Sequence, residues 1–195
     1  MAAAHDKASL RRAALARRDA LTPTVRAEAS RVIAEQALRV VLKIDAAPVG
    51  LYWPIRSEVS TEPLIAALSD RGIALALPVV ADPELRFFAW APGDPLVDAG
   101  FGTRGPRASA QEVKPRLLVV PLAAFDRAGH RVGYGKGHYD RAIARLTAEV
   151  PVATIGLAFA CQEVEEIPAE EHDRRLDVIV TETETISGET KDREP

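Results

Sequence analysis

Apolar residues recur along the first forty positions with the period of a helix. Leu10, Ala14 and Leu21 stand at spacings of four and seven, which predicts a helix over 7–21. Thr22 and Pro23 then supply an N-cap and a proline at the first helical position, opening a second helix that reaches about Lys43. From Pro48 the period changes. Residues 49–53 form a short apolar run closed by Pro54, the pattern of a buried strand. Thr61 as cap, Leu64, Ile65 and Leu68 as apolar face and Gly72 as C-terminal cap predict the next helix. A strand over 73–80 follows, and Asp82-Pro83 turns the chain into an edge strand or hairpin arm over 85–90. Residues 91–116 are rich in Pro and Gly without a clear period and read as a structureless functional flap. Residues 117–121 give the clearest buried strand, 137–146 a helix, and 152–157 and 177–181 the last two strands.

Strands alternating with helices in this order imply an α/β fold with a mainly parallel sheet covered on both faces. Ligands then gather beyond the carboxyl ends of the strands. At 195 residues the chain suits one core, so a single domain is expected over 1–182, with 183–195 a disordered tail.

Composition narrows the function. Aromatic residues are 5% of the chain, so the core must be aliphatic and each Trp or Tyr near a motif gains weight. The single cysteine, Cys161, excludes an internal disulfide and a Cys-rich zinc site. With no apolar run long enough to span a bilayer, no membrane role is expected and the cytoplasm is the expected setting. The Ala- and Arg-rich start over 1–18 has the composition of a mitochondrial transit peptide, although Asp6 and Asp19 count against it. Residues 1–40 carry eight Lys/Arg against four Asp/Glu, whereas 161–195 carry four against twelve. The basic residues are too sparse for nucleic acid, so a small anion is the expected ligand. Lys7, Arg11 and Arg18 fall close together in angle on the first helix; a solvated face explains such a stripe as readily as a ligand does.

The densest chemistry lies in 126–141. Gly133, Gly135 and Gly137 alternate with Tyr134, Lys136 and His138, and Tyr139 and Asp140 follow. Alternate glycines let consecutive amides point at one anion, the following helix adds its N-terminal dipole, and Arg131 and Lys136 add full charges. The segment has the composition of a phosphate cradle. It lacks the Gly-Lys-Ser/Thr of a P-loop and the Gly-x-Gly-x-x-Gly of a dinucleotide fold. Asp140 is placed to help hold the Mg²⁺ of a nucleotide. His5 and His130 are expected at the surface, and none of the four histidines has the spacing of a metal pair.

These residues resemble the 5-formyltetrahydrofolate cyclo-ligase family over most of the chain. The likeness is strongest over 121–141, with its proline, Phe125-Asp126, Gly-x-Arg, glycine-rich and Tyr-Asp pieces in order. Supporting pieces are 7–11, 52–61 with Glu58, Phe101-Gly102, and 167–182. The resemblance implies a three-layer α/β/α sandwich like that of the sugar-phosphate isomerase and CoA-transferase group. It implies that ATP is held by Lys7, Arg11, Arg131, Gly133, Tyr134, Gly135, Lys136, Gly137, His138 and Tyr139, and Mg²⁺ by Asp140 and Asp173. Trp53 and Glu58 would meet the folate together with Tyr134, Gly135, Lys136, Gly137 and His138, and catalysis would fall to Lys136, Arg131 and Tyr139. His138 stands where many relatives have tyrosine, and Gly105-Pro106 where Glu-Pro is common.

The implied reaction turns 5-formyltetrahydrofolate and ATP into 5,10-methenyltetrahydrofolate, ADP and phosphate. No enzyme nucleophile is required, in keeping with a chain that has one Cys and no recognisable Ser-His-Asp set. The protein is expected to act as a monomer, with a homodimer as the alternative. Two rival functions share the cradle: a non-catalytic module binding reduced folate or nucleotide, and a sugar-phosphate isomerase, which needs neither ATP nor Mg²⁺.

Overall fold

Alternation along the strands decides the layering. The computed structural model describes residues 6–81, 84–100, 102–107, 109–170 and 173–188. In chain order these form helices α1 (Lys7–Asp19) and α2 (Pro23–Ile44), strand β1 (Val49–Gly50), helix α3 (Glu62–Ser69), and strands β2 (Leu75–Ala81), β3 (Glu84–Ala89), β4 (Leu96–Asp98), β5 (Arg104–Pro106), β6 (Glu112–Val113), β7 (Leu117–Pro121), β8 (Ala124–Phe125) and β9 (Arg131–Val132). Helix α4 (His138–Thr147), strand β10 (Ala153–Leu157), a short 3-10 turn (Ala160–Gln162), and strands β11 (Val178–Val180) and β12 (Thr185–Ser187) complete the chain.

Leu117 and Val119 of β7 join Ile33, Ala37 and Val41 of α2 and Leu64 and Leu68 of α3 in one apolar cluster. Leu118 and Val120 point the other way and join Ala142, Ile143 and Leu146 of α4. The period of two along a strand buried on both faces thus yields three layers. The sheet runs β12-β11-β10-β7-β1-β2-β3-β6, with β11, β10, β7, β1 and β2 parallel, β12 and β3 antiparallel to them, and β6 antiparallel to β3. A mainly parallel α/β sheet is therefore present as expected.

Local chemistry explains the element ends. Thr22 accepts a hydrogen bond from the Val25 amide at 3.3 Å with Pro23 in the first turn of α2. Gly72 takes φ of 69°, and the Ile73 amide returns to the Leu68 carbonyl at 3.1 Å, closing α3. Thr61 occupies the cap position of α3 but does not cap it, because its hydroxyl donates to the Tyr52 carbonyl at 2.8 Å.

Three expectations change. The strand expected over 49–53 is short, since the chain leaves the sheet after the Leu51 amide bonds Ala76. The flap is partly built: β4 and β5 pair as a hairpin and β6 adds to β3. Gly105 is why the hairpin lies flat on β2, for a Cβ there would stand 2.6 Å from the Pro78 carbonyl oxygen. The chain past Glu182 also stays ordered through Ser187, because β12 pairs with β11, and residues 189–195 lie outside the described residues.

Beyond the carboxyl end of β7, the β8–β9 hairpin carries a tight turn. Asp126 accepts from the amides of Ala128, His130 and Ile167, each at 3.0 Å, and lies 2.9 Å from His130 Nδ1. His130 is therefore largely buried, not at the surface as its sequence context implied; His5 lies outside the described residues. Helix α1 covers this hairpin through Leu10 and Ala14 against Ala124, Val132 and Ile167. No described helix is long and apolar enough to cross a membrane.

Candidate active site

The glycine turn leaves β9 and enters α4. Gly135 has φ of 92°, Gly137 has φ of 63° at the N-cap of α4, and a Cβ on Gly133 would meet nothing within 4 Å. Open space at Gly133 and positive φ at the next two glycines give backbone that an anion can approach closely. Lys136 is exposed at the crest and His138 is half-buried. The two ends of the turn are pinned by Arg131 and Asp140, with Nη2 to Oδ1 at 2.7 Å. Burial lowers the Arg131 pKa although the charge and hydrogen bond of Asp140 oppose it. The Tyr139 hydroxyl is buried without a partner, and burial followed by the charge of Glu58 raises its pKa.

The cationic stripe of α1 is not a solvated face. Lys7 Nζ lies 2.6 Å from Asp173 and 3.2 Å from Glu170. Burial would lower its pKa, but these two carboxylates together outweigh burial and raise it. Arg11 Nε donates to the Gly133 carbonyl at 2.6 Å, and its guanidinium stands 3.4 Å from where a Gly135 Cβ would be. One face of α1 thus carries Arg11 to the glycine turn and Lys7 to Asp173 and Glu170.

Asp140 reaches the backbone of the residue next to Asp173. The Arg174 amide donates to Asp140 Oδ1 at 3.2 Å, and the Glu170 amide to Asp173 Oδ2 at 2.8 Å. Among the described residues no group of three or more His, Cys, Asp or Glu is arranged to hold a metal ion. Two carboxylates beside a phosphate cradle nevertheless match the needs of Mg²⁺, which completes its shell with phosphate oxygens and water. Each acid has a cationic partner here, Arg131 or Lys7, so each already sits in a charge-balanced setting.

Across the turn lies a mainly carboxylate and aromatic wall. Glu58 is 9% exposed, accepts from the Ile55 amide at 2.9 Å, and lies near the Tyr134 hydroxyl. Burial raises its pKa against the lowering effects of the Ile55 amide and Arg18. Trp53 packs edge-on to Trp90 with centroids 6.0 Å apart, and both line a groove of about 440 Å³ with Ile65, Leu96, Glu62 and Arg104. Arg18, Arg56 and Trp90 escaped the sequence reading as site residues. For Arg18 a signal existed, because it continues the stripe of Lys7 and Arg11; Arg56 and Trp90 had none, since only folding brings them to Tyr134 and Trp53.

Comparisons with known proteins identify the family and the fold. The sequence profile of the 5-formyltetrahydrofolate cyclo-ligase family matches residues 3–182. The chain is 33% identical to the 5-formyltetrahydrofolate cyclo-ligase of Haemophilus influenzae, over 82% of this chain and 89% of that one. It is 32% identical to the enzyme of that name from Escherichia coli K12, over 85% and 94%. The solution structure of Aquifex aeolicus 5,10-methenyltetrahydrofolate synthetase superposes with a TM-score of 0.80 at 28% identity, over 97% of this chain and 96% of that one. A 5,10-methenyltetrahydrofolate synthetase structure from Mycoplasma pneumoniae shares the fold at a TM-score of 0.74 and 24% identity, over 91% and 99%. The chain belongs to the 5-formyltetrahydrofolate cyclo-ligase family.

Proposed function

We propose that this chain catalyses the ATP-dependent cyclisation of 5-formyltetrahydrofolate to 5,10-methenyltetrahydrofolate, releasing ADP and phosphate. The observation that carries this reading is the position of Tyr134. It belongs to the glycine turn, yet its hydroxyl accepts from Arg18 at 3.0 Å and adjoins Glu58 on the opposite wall. A phosphate cradle and a buried carboxylate suited to pterin N–H groups therefore adjoin at one side chain, as transfer of a phosphoryl group to a bound formyl oxygen requires.

The chemistry belongs to the substrates. The formyl oxygen attacks the γ-phosphorus and ADP leaves; N10 then attacks the activated carbon and loses its proton, and phosphate departs with the former formyl oxygen. Lys136, Arg131 and the amides of Gly133, Gly135 and Gly137 stabilise charge on the transferring phosphoryl group, with Lys7, Arg11, His138 and Tyr139 holding the nucleotide. Asp140 and Asp173 would hold Mg²⁺, which would supply neutralisation of the phosphate charge. Glu58 accepts from the pterin, and Trp53 offers an apolar wall beside it. No covalent enzyme intermediate is needed, and Cys161 remains a free thiol, as suits the cytoplasm.

The near-ultraviolet absorbance of the methenyl product tests the reaction directly. It should rise with 5-formyltetrahydrofolate, ATP and Mg²⁺ together and stay flat when ATP is withheld. Tight folate binding without product would make the chain a non-catalytic binding module.

A further inference from the structure

Arg18 is the largest fully buried side chain of the described residues, at 1% exposure, and it carries a charge. Burying a guanidinium is costly unless its donors are satisfied, so the fold must gain something by keeping it there. Its Nε donates to Ser57 Oγ at 3.0 Å and its Nη2 to the Tyr134 hydroxyl at 3.0 Å, while Nη1 is buried without a partner. Ser57 in turn hydrogen-bonds Asp19. From the last turn of α1, one planar fork thus grips two loops distant in sequence, the 55–58 turn and the glycine turn. A fork with fixed donor directions sets their spacing, which a flexible point charge would not.

We propose that Arg18 is a positioning residue for the folate site: it holds Tyr134 and the 55–58 turn in register, and its charge favours the ionised Glu58 carboxylate one residue from Ser57. The inference rests on the reading of Glu58 as the pterin acceptor. The groups that act electrostatically on Glu58 are Arg18 from α1, Arg56 from its own turn, Tyr134 from the glycine turn, Tyr52 after β1 and Tyr139 from α4. The tyrosines are neutral near pH 7, since burial raises all three. Arg18 and Arg56 are therefore the cations that oppose the effect of burial on Glu58. Arg56 also lies over the Tyr134 ring at 5.9 Å, which leaves Arg18 as the cation gripping both loops.

The test is kcat/KM for 5-formyltetrahydrofolate against pH at saturating ATP, for the wild type, Arg18→Gln, Arg18→Lys and Glu58→Gln, with KM for ATP measured alongside. Arg18→Gln should raise the folate KM roughly tenfold at pH 7, as loss of a charged hydrogen bond does, and move the acid limb to higher pH, with a smaller rise in ATP KM because Tyr134 belongs to the glycine turn. Arg18→Lys should keep the limb near that of the wild type and restore only part of the folate KM, because an ammonium cannot span both partners. An acid limb lost in Glu58→Gln but unmoved in Arg18→Gln overturns the role of Arg18 alone. A limb that persists in Glu58→Gln, with folate KM unchanged, removes the pterin reading of Glu58 and this proposal with it. If Arg18→Gln does not fold, Arg18→Lys and Tyr134→Phe are combined: their folate losses should be strongly non-additive, and simple additivity overturns the proposal.

Discussion

Arg131 at the start of β9 and Asp140 in the first turn of α4 meet at 2.7 Å, so one ion pair closes the glycine turn that lies between them. The pair has two tasks that mutation can separate. Asp140→Ala leaves a buried guanidinium without its carboxylate, and chemical denaturation should show a loss near the lower end of about 3–5 kcal/mol, since Asp140 is partly exposed. Asp140→Asn keeps an oxygen for Arg131 and for the Arg174 amide, so its stability should fall much less. What Asn lacks is the charge a hard cation needs, and the Mg²⁺ concentration for half-maximal turnover should rise by about tenfold or more. An unchanged Mg²⁺ requirement in Asp140→Asn removes this residue from the metal site.

The turn itself separates binding from stability. Gly135→Ala forces a side-chain-bearing residue to φ of 92° and sets its Cβ 3.4 Å from the Arg11 guanidinium. Holding that conformation costs on the order of 1–3 kcal/mol, which should appear as a weaker ATP KM, with little change in thermal midpoint because Gly135 is exposed. Lys136→Ala should instead leave ATP KM close to that of the wild type and lower kcat by roughly 100-fold, since its charge serves the transferring phosphoryl group. Wild-type turnover in Lys136→Ala takes the crest of the turn out of the mechanism.

What the sequence made legible is what short-range chemistry controls. Alternate apolar residues in 117–121 face two clusters, and Thr22-Pro23 opens α2, because period and capping act within a few residues. The order of strands, the burial of Arg18 and the meeting of Trp53 with Trp90 depend on distant segments. Thr61 shows the boundary well: its place as a cap follows from sequence, but the Tyr52 carbonyl, nine residues back, competes for its hydroxyl. The 91–116 segment misled for a related reason. Its glycines break every local period, yet Gly105 is the residue that lets β5 pack on β2. The glycine turn could be read as a phosphate cradle because its residues are contiguous. Its neighbour Glu58 carries no such local signal.

Arg11 and Arg12 are adjacent in sequence and differ in what they touch. Arg11 reaches the Gly133 carbonyl at 2.6 Å, whereas Arg12 is exposed and donates to Ser9 one turn back. Arg11→Ala should raise the ATP KM by about tenfold, the scale of a lost charged hydrogen bond together with a charge beside the phosphates. Arg12→Ala should stay within about twofold. Equal effects would mean that the whole basic surface of α1 acts through its diffuse field, which a steep dependence on ionic strength in both variants would show.

Glu58 joins stability to function in opposite senses. Burial raises its pKa above that of an ordinary glutamate, so between the unfolded and folded values the native state binds a proton that the unfolded chain has lost. Over that interval the carboxylate makes the protein less stable as pH rises, and above the folded pKa the full penalty is present. Glu58→Gln does not titrate and keeps an oxygen for the Ile55 amide, so its urea midpoint should gain on that of the wild type between pH 4 and pH 8. If the carboxylate accepts the pterin N–H groups, the same variant should lose about 1.5–3 kcal/mol in the folate term, roughly ten- to a hundredfold in kcat/KM, with ATP KM nearly unchanged. A side chain kept only for structure gives the reverse: Glu58→Gln would lose stability and weaken both substrates together. A variant whose stability advantage over the wild type grows with rising pH while it binds folate more poorly shows a buried charge retained for its ligand.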